Sequence, residues 1–321
     1  MHKGHIVPFI IAWLAGGTAW AQAPAYPSKS IRIVIALAPG GGVDTTGRLI
    51  GASLNKMWGV PVVADNRPGA GGSIASDLVA KAPPDGYTIL VNSSGVVITP
   101  SLMKIGYDPH KELMPVTMAF ISPGVMVVHP SVPVKNVKEL IAFAKARPNE
   151  LFYSSSGQGS AQHLSMALFC QMTGLKMEHV PYKGTAPSIL DVVAGRISVT
   201  VASVVSTRPM FTTGKLRALA TVGNKRTPAL PEYPTVAESG LPGFGVDQWY
   251  AVFLPGGTSK EIAAKLQEAV AKTVLEPEMR KTMLNQGMDS VGNTPAEFTA
   301  IYNSEIARWG KVVKTLGLQV Q

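Results

Sequence analysis

Ile31-Arg32-Ile33-Val34-Ile35-Ala36-Leu37-Ala38-Pro39-Gly40-Gly41-Gly42-Val43-Asp44 is the stretch that sets the fold class. Its first six residues are apolar or β-branched save one arginine, which predicts a buried strand. The glycines that follow predict a tight turn, and Asp44 is placed to cap a helix running to about Trp58. Strand, glycine-rich turn and helix start make up the repeating unit of α/β layering.

Outward from there the unit recurs. Residues 60–65 predict a second strand, followed by the loop Asn66-Arg67-Pro68-Gly69-Ala70-Gly71-Gly72 and a helix capped by Ser73. Residues 87–92 predict a third strand, ending in Ser93-Ser94-Gly95. The rhythm restarts with a strand at 125–129 and a helix at 136–147, apolar at Val137, Leu140, Ile141 and Ala144. Residues 151–154 lead into the polar loop Ser155-Ser156-Gly157-Gln158-Gly159-Ser160 and a helix to about Thr173. A strand at 177–180, a turn at 181–185, a helix at 186–194 and a strand at 197–202 complete this second half. Residues 259–275 and 295–316 read as long helices. Each half thus holds a turn that aims backbone N–H groups and a positive helix end at whatever lies above it. One such turn is simply a tight connection, but two that face each other can hold an anion from both sides.

The N-terminus bears on compartment. Lys3, with His2 and His5, forms a basic start, residues 6–15 are apolar, and Ala19-Trp20-Ala21 has the small-x-small pattern of a cleavage site. Residues 1–21 are therefore expected to be a cleaved signal peptide, and the remaining chain a periplasmic protein. No later run reaches the ~18 apolar residues of a membrane span. Hydrophobic residues at 46% and charged residues at 15% exclude a disordered chain. The single cysteine, Cys170, excludes an internal disulfide and lies in an apolar stretch that reads as core. The net charge of +9 favours anionic ligands through long-range attraction. Its lysines and arginines are scattered, so nucleic acid is not an expected partner.

Two enzyme motifs are approached and not met. A hydrolase elbow requires Gly-x-Ser-x-Gly, and Gly71-Gly72-Ser73-Ile74-Ala75 lacks the last glycine. A dinucleotide site requires Gly-x-Gly-x-x-Gly, and the spacing from Gly40 fails at Thr45 although Asp65 stands where a ribose-binding acid would. Neither a His-x-x-x-His nor a Cys-x-x-Cys pattern occurs, so no metal and no cofactor is expected. An enzyme is not expected.

The residues also carry a family resemblance. Tyr26-Pro27-Ser28-Lys29, the Ala38-to-Asp44 turn and the Asn66-to-Gly72 loop resemble first-lobe motifs of the tripartite tricarboxylate receptors, also called Bug receptors. Pro84-Asp85-Gly86-Tyr87-Thr88, Val127-Val128-His129-Pro130-Ser131 and Tyr153 to Ser160 continue the match in order. So do His179-Val180-Pro181-Tyr182-Lys183-Gly184, Gly214 to Ala220, Pro234 to Gly240 and Glu305-Ile306-Ala307-Arg308-Trp309. The resemblance covers essentially the whole mature chain. It implies a two-lobe α/β periplasmic-binding-protein fold of type II, with lobe 1 at 22–124 plus 248–321 and lobe 2 at 125–247. It also implies capture of a small organic carboxylate (a di- or tricarboxylate or an aromatic acid) for the permease subunits of a tripartite transporter, by a monomer. A ligand-presenting sensor is the alternative within the binding class, and an exported hydrolase the alternative outside it.

By position, the resemblance places the first-lobe site at Pro39, Gly40, Gly41, Gly42 and Asp44, with Ser93 and Ser94 below. Asp44 reads as a helix cap or water anchor, because a carboxylate would repel the ligand. The second-lobe site falls on Ser155, Ser156, Gly157, Gly159, Ser160 and His163, with Lys183, Gly184 and Thr185. His163 faces either cleft or core, and Lys183 either the cleft or solvent. Ala202 and Ser203 complete the set. Ser198 and Ala202 stand where the family commonly carries carboxylates, and Val201 where it carries an aromatic. Their absence here argues for a plain carboxylate over an amino acid.

Overall fold

Parallel neighbours on both sides explain why β1 (Ile31–Ile35) is apolar along nearly its whole length. The structure is a computed structural model and describes Met1 and residues 26–317. The expected leader beyond Met1, with its cleavage position near Ala21, lies outside the described residues.

From β1 the chain runs through α1 (Gly42–Trp58), β2 (Val62–Asn66), a 3-10 turn at Ala70–Gly72, α2 (Ser73–Ala80), β3 (Thr88–Ser93) and α3 (Gly95–Leu102) to β4 (Leu113–Ile121). It then enters a second body made of β5 (Gly124–Val128), α4 (Val137–Lys145), β6 (Phe152–Ser155), α5 (Ala161–Thr173), β7 (Glu178–Pro181), α6 (Thr185–Val193), β8 (Val199–Ser203), α7 (Val204–Thr212) and β9 (Arg217–Thr221). Finally it returns as β10 (Trp249–Pro255), α8 (Lys260–Val274), α9 (Pro277–Asn285), β11 (Asp289–Ser290) and α10 (Pro295–Leu316).

Two mixed sheets result, one per lobe. The first has the order β11-β4-β10-β3-β1-β2, and the second β7-β6-β8-β5-β9. Each holds three parallel strands with the first in sequence at the centre, β2-β1-β3 and β7-β6-β8. Against the third strand of each lies one antiparallel strand, β10 or β5. The second sheet is contiguous in sequence. The first is completed only by β10 and then β11, after the chain has passed through the other lobe.

Local chemistry explains how closely the layers pack. In α1, Val43, Ile50 and Leu54 face the sheet, and glycines let the helix lie on it. A Cβ at Gly47 would stand 2.7 Å from Cδ1 of Ile35. Gly59, in the left-handed region at φ 68°, ends the helix. α10 starts with a capping box between Thr294 and Glu297 and buries Phe298, Tyr302 and Trp309.

Two expected caps differ from what is found. The helix expected to begin at Asp44 begins at Gly42, with Gly41 as its N-cap, and Asp44 sits inside the first turn. Ser73 is the first residue of α2, behind Gly72 as N-cap. Gly72, at φ 97°, takes the left-handed region that glycine favours, and Gly41 leads into a first helical residue, Gly42, that is itself closely approached. A Cβ at Gly72 would meet the Asn92 amide, and one at Gly42 would overlap the Tyr250 hydroxyl.

Candidate functional site

The ends of the two sheets meet along a closed seam built mostly of backbone. The N–H of Ala38, after β1, donates to the carbonyl of Lys183, before α6, at 3.2 Å. One residue on, Gly184 lies so near Ala38 that a Cβ would stand 2.7 Å from the Ala38 Cβ. Gly40 faces Ala186 and Gly41 faces Thr185, so the N-termini of α1 and α6 point toward each other. Further along, a Cβ at Gly71 would run into the Gln158 carbonyl, and one at Gly95 would stand 3.7 Å from Cα of Ser160. Glycine on both sides lets two main chains approach where side chains would hold them apart.

Helix starts divide by location. α4, α8, α9 and α10 begin away from the seam, and each is capped by its own side chain: Asn136, Ser259, Glu276 and Thr294. α1, α3, α6 and α7 begin at Gly42, Gly95, Thr185 and Val204, and none has a side-chain cap among the described residues. The Gly95 N–H meets Oγ of Ser93 at 3.4 Å and the Val204 N–H the Pro123 carbonyl at 3.3 Å, whereas the first N–H groups of α1 and α6 have no partner among the described residues. α5 alone among the seam helices is capped, Ser160 accepting from the N–H of His163 at 3.2 Å.

Asp44 is 6% exposed, the one buried carboxylate among the described residues, and it is fully engaged. It accepts from the Gly40 N–H at 3.0 Å, Nε of Arg48 at 2.9 Å and Nδ2 of Asn66 at 3.0 Å. Burial alone would raise its pKa, but these three donors outweigh it and hold the carboxyl below its ordinary range. Asp44 therefore shapes the Gly40 turn from behind. Among the described residues no lysine or arginine is buried.

In the second lobe, Ser155, Ser156 and Ser160 are buried. The Ser156 hydroxyl bonds Oε1 of Gln162, whose Nε2 donates to Oγ1 of Thr185 at 3.1 Å. Gln162 thus ties the 155–160 loop to the start of α6; as a lone glutamine inside a helix it carried no signal in the sequence. His163 lies behind the loop. Its ring stacks on His179 at 4.0 Å, and His179 stacks on Tyr153 at 4.9 Å. The Gly159 N–H donates to Nδ1 of His163 at 3.3 Å, and Ser155 Oγ lies 2.7 Å from Nε2 of His179. Burial pushes the His163 pKa down to about 4; burial, then the His163 ring, push His179 to about 3. Both are neutral near pH 7.

The remaining expected residues separate. Pro39, Gly40 and the Lys183 side chain are exposed at the rim, whereas Gly41, Gly42, Ser93, Ser94, Gly157, Gly159, Gly184 and Thr185 are buried along the seam. Ser203, the N-cap of α7, is buried and pairs with Ser206 at 3.0 Å. Ala202 packs among Val125, Ile189 and Val204, inside the second-lobe core. Tyr250 enters from the first lobe, its hydroxyl facing Ser203 and Ser122, and burial raises its pKa. Asp65, the apparent ribose acid, is held by Arg32 and Arg67. Burial pushes the Cys170 thiol up to about 12, far from a reactive thiolate. No cluster of three potential metal ligands occurs among the described residues, and no helix there is long and apolar enough to cross a membrane.

Comparison with known proteins places this architecture among close relatives. Residues 47–318 match the profile of the tripartite tricarboxylate transporter family receptor. The protein BugT of Bordetella pertussis is 33% identical over 310 residues, covering 96% of this chain and 95% of its own. The R. palustris protein Rpa4515, solved with adipate, superposes with a TM-score of 0.88 at 38% identity, covering 91% of this chain and 98% of that one. MatC from Rhodopseudomonas palustris, with bound malate, gives a TM-score of 0.84 at 31% identity, covering 90% of this chain and all of the other.

Proposed function

This chain belongs to the tripartite tricarboxylate transporter receptor family, one of solute-binding receptors and not of enzymes, and on that premise we propose that it captures a small organic carboxylate between its lobes. Capture takes place in the periplasm, after removal of the signal segment, and the closed complex is handed to the membrane permease subunits. The observation that carries the reading is the contrast among helix starts. Four helices open onto the seam without a side-chain cap, while the four that start elsewhere supply their own. Backbone N–H groups at converging positive helix ends that lack side-chain caps attract an anion without burying a cation, which would carry its own desolvation cost.

Adipate in Rpa4515 and malate in MatC supply precedent for carboxylates within this fold. A ligand that touches both turns favours the closed arrangement over an open one by its differential contacts, and the closed form is what a partner reads.

The test is thermal unfolding of the refolded mature chain with and without millimolar citrate, succinate, malate, adipate, aspartate, glutamate and benzoate. Refolding removes ligand carried through purification. An acid present at 100 times its dissociation constant adds about 2.7 kcal/mol, a plain rise in melting temperature. A rise with one or a few acids is expected; no rise with any acid sinks the assignment.

A further inference from the structure

Three buried side chains link the two seam turns of the second lobe. The Ser156 hydroxyl, on the 155–160 loop, bonds Oε1 of Gln162, and Nε2 of Gln162 donates to Oγ1 of Thr185 at 3.1 Å. Ser156, Gln162 and Thr185 are 2%, 7% and 5% exposed. Gln162 is the second residue of α5 and Thr185 the first of α6, so one amide joins the starts of two helices. Across the seam Thr185 faces the first lobe. A Cβ built on Gly41 would stand 3.5 Å from its Cβ and 3.6 Å from its Oγ1. Gly41 is the N-cap of α1, whose first N–H groups have no partner among the described residues.

Donor and acceptor chemistry gives this row of bonds a direction. An amide oxygen only accepts and an amide nitrogen only donates. The Ser156 proton is therefore spent on Gln162, and Ser156 keeps only lone pairs. Thr185 receives the Gln162 N–H on its oxygen, and its own proton has no acceptor among the described residues. Gln162 thus holds the Thr185 hydroxyl from behind and leaves its proton free beside the first turn of α1. In a row of linked hydrogen bonds each one polarises the next, so this O–H is a stronger donor than that of an isolated threonine.

We infer that Gln162 is a positioning residue. It acts through Thr185, turning that hydroxyl's proton into the seam, where it meets the ligand's carboxylate together with the N–H groups of α1. This rests on the carboxylate capture proposed above. Ser156, with its proton turned inward, gives the ligand no donor. A tie between loop and helix would need only that residue 162 touch both hydroxyls. Setting the direction of the Thr185 proton needs a nitrogen on the Thr185 side.

Gln162→Glu separates the two. A carboxylate at 162 accepts from both hydroxyls and so keeps the tie, and the N-terminus of α5 favours its charge, but it draws the Thr185 proton away from the seam. Calorimetric titration with citrate, succinate, malate, adipate, aspartate, glutamate and benzoate at pH 7.5 compares the refolded parent, Gln162→Glu, Thr185→Val and the double variant as a closed cycle. Thr185→Val is expected to weaken the acid that binds the parent about tenfold or more, and Thr185→Ser, which restores the hydroxyl, to recover most of that loss. Gln162→Glu is expected to cost about tenfold more affinity in the parent than in the Thr185→Val background. The new charge repels the ligand in both backgrounds and cancels between them. Equal falls, which a simple tie or an amide turned the other way would give, overturn the positioning role and leave carboxylate capture standing. A Thr185→Val variant that binds like the parent does the same, and that arm holds even if Gln162→Glu fails to fold. If no acid binds the parent, carboxylate capture fails and the positioning role fails with it.

Discussion

Ala38 and Lys183 belong to different lobes, yet the N–H of the first donates to the carbonyl of the second at 3.2 Å. This bond can form because the next residue, Gly184, has no Cβ. At φ 155° a side chain there would be strained as well as blocked by Ala38. Gly184→Val is therefore expected to hold the lobes apart at this point. Small-angle scattering with ligand present should give the larger radius of gyration, and affinity should fall at least about tenfold, the equivalent of 1.4 kcal/mol. A variant that closes and binds like the parent would remove the seam from the binding mechanism.

His163 and His179 make stability depend on acid. Each is buried neutral, with a pKa lowered to about 4 and about 3 from an unfolded value near 6.5. Below pH 6.5 the unfolded chain therefore binds more protons than the folded one, and stability falls with falling pH until the folded values are reached. For His163 alone the loss amounts to roughly 3 kcal/mol between pH 6.5 and pH 4. Protonation would also remove Nδ1 as acceptor of the Gly159 N–H, loosening the 155–160 loop. Urea midpoints at pH 7.5, 5.5 and 4.5 should fall steeply for the parent and less steeply for His163→Gln. Parallel slopes for the two would refute the assignment.

Asp44→Ala should cost about 2 kcal/mol, because it strips partners from Arg48, Asn66 and the Gly40 N–H together. Asp44→Asn keeps an acceptor for the Gly40 N–H and should cost less. Equilibrium denaturation ranks the two. Equal losses would mean that the turn does not depend on this acceptor.

Arg208 of α7 reaches across to the carbonyl of Asn285, at the end of α9, and also bonds the carbonyl of Ala229. Close by, Gly287 is packed so tightly on Val204 that a Cβ would overlap it. Arg208→Ala is expected to weaken ligand binding several-fold by removing a contact between first-lobe and second-lobe elements, with little effect on far-ultraviolet circular dichroism. Unchanged affinity would count against it as a lobe-to-lobe tie.

How much of this was legible in the sequence depended on local signals. β1, β6 and the helices after them stood out because a β-branched run, a glycine or serine turn and an amphipathic stretch follow one another. By contrast β4, with Pro115 inside it, and β10 are continuous apolar runs buried on both faces, and neither period nor boundary marks them. α3 is equally apolar and contains Pro100. The glycine turns point to the seam, yet Asp44 is not the cap its position suggests, because the helix starts on glycine two residues earlier. Ala202 stood at a family site position but its side chain packs into the core with Val204. Gln162 carries no sequence signal for a different reason. A single glutamine inside a helix means nothing until the fold brings Ser156 and Thr185 beside it.

The late arrival of β10 has a consequence for how the molecule comes into being. All five strands of the second sheet lie between Gly124 and Thr221, so that lobe can assemble as soon as its own segment is available. The first lobe cannot. Ser93 of β3 awaits Tyr250, and until residues 249–255 appear both β3 and β4 present bare edges able to pair with another chain. A polypeptide threaded through a membrane from its N-terminus would thus deliver its first lobe unfinished and complete it last. The step that brings β10 into the first sheet also sets Tyr250 against Gly42 and beside Ser203, so the cleft exists only once the chain beyond the second lobe has emerged.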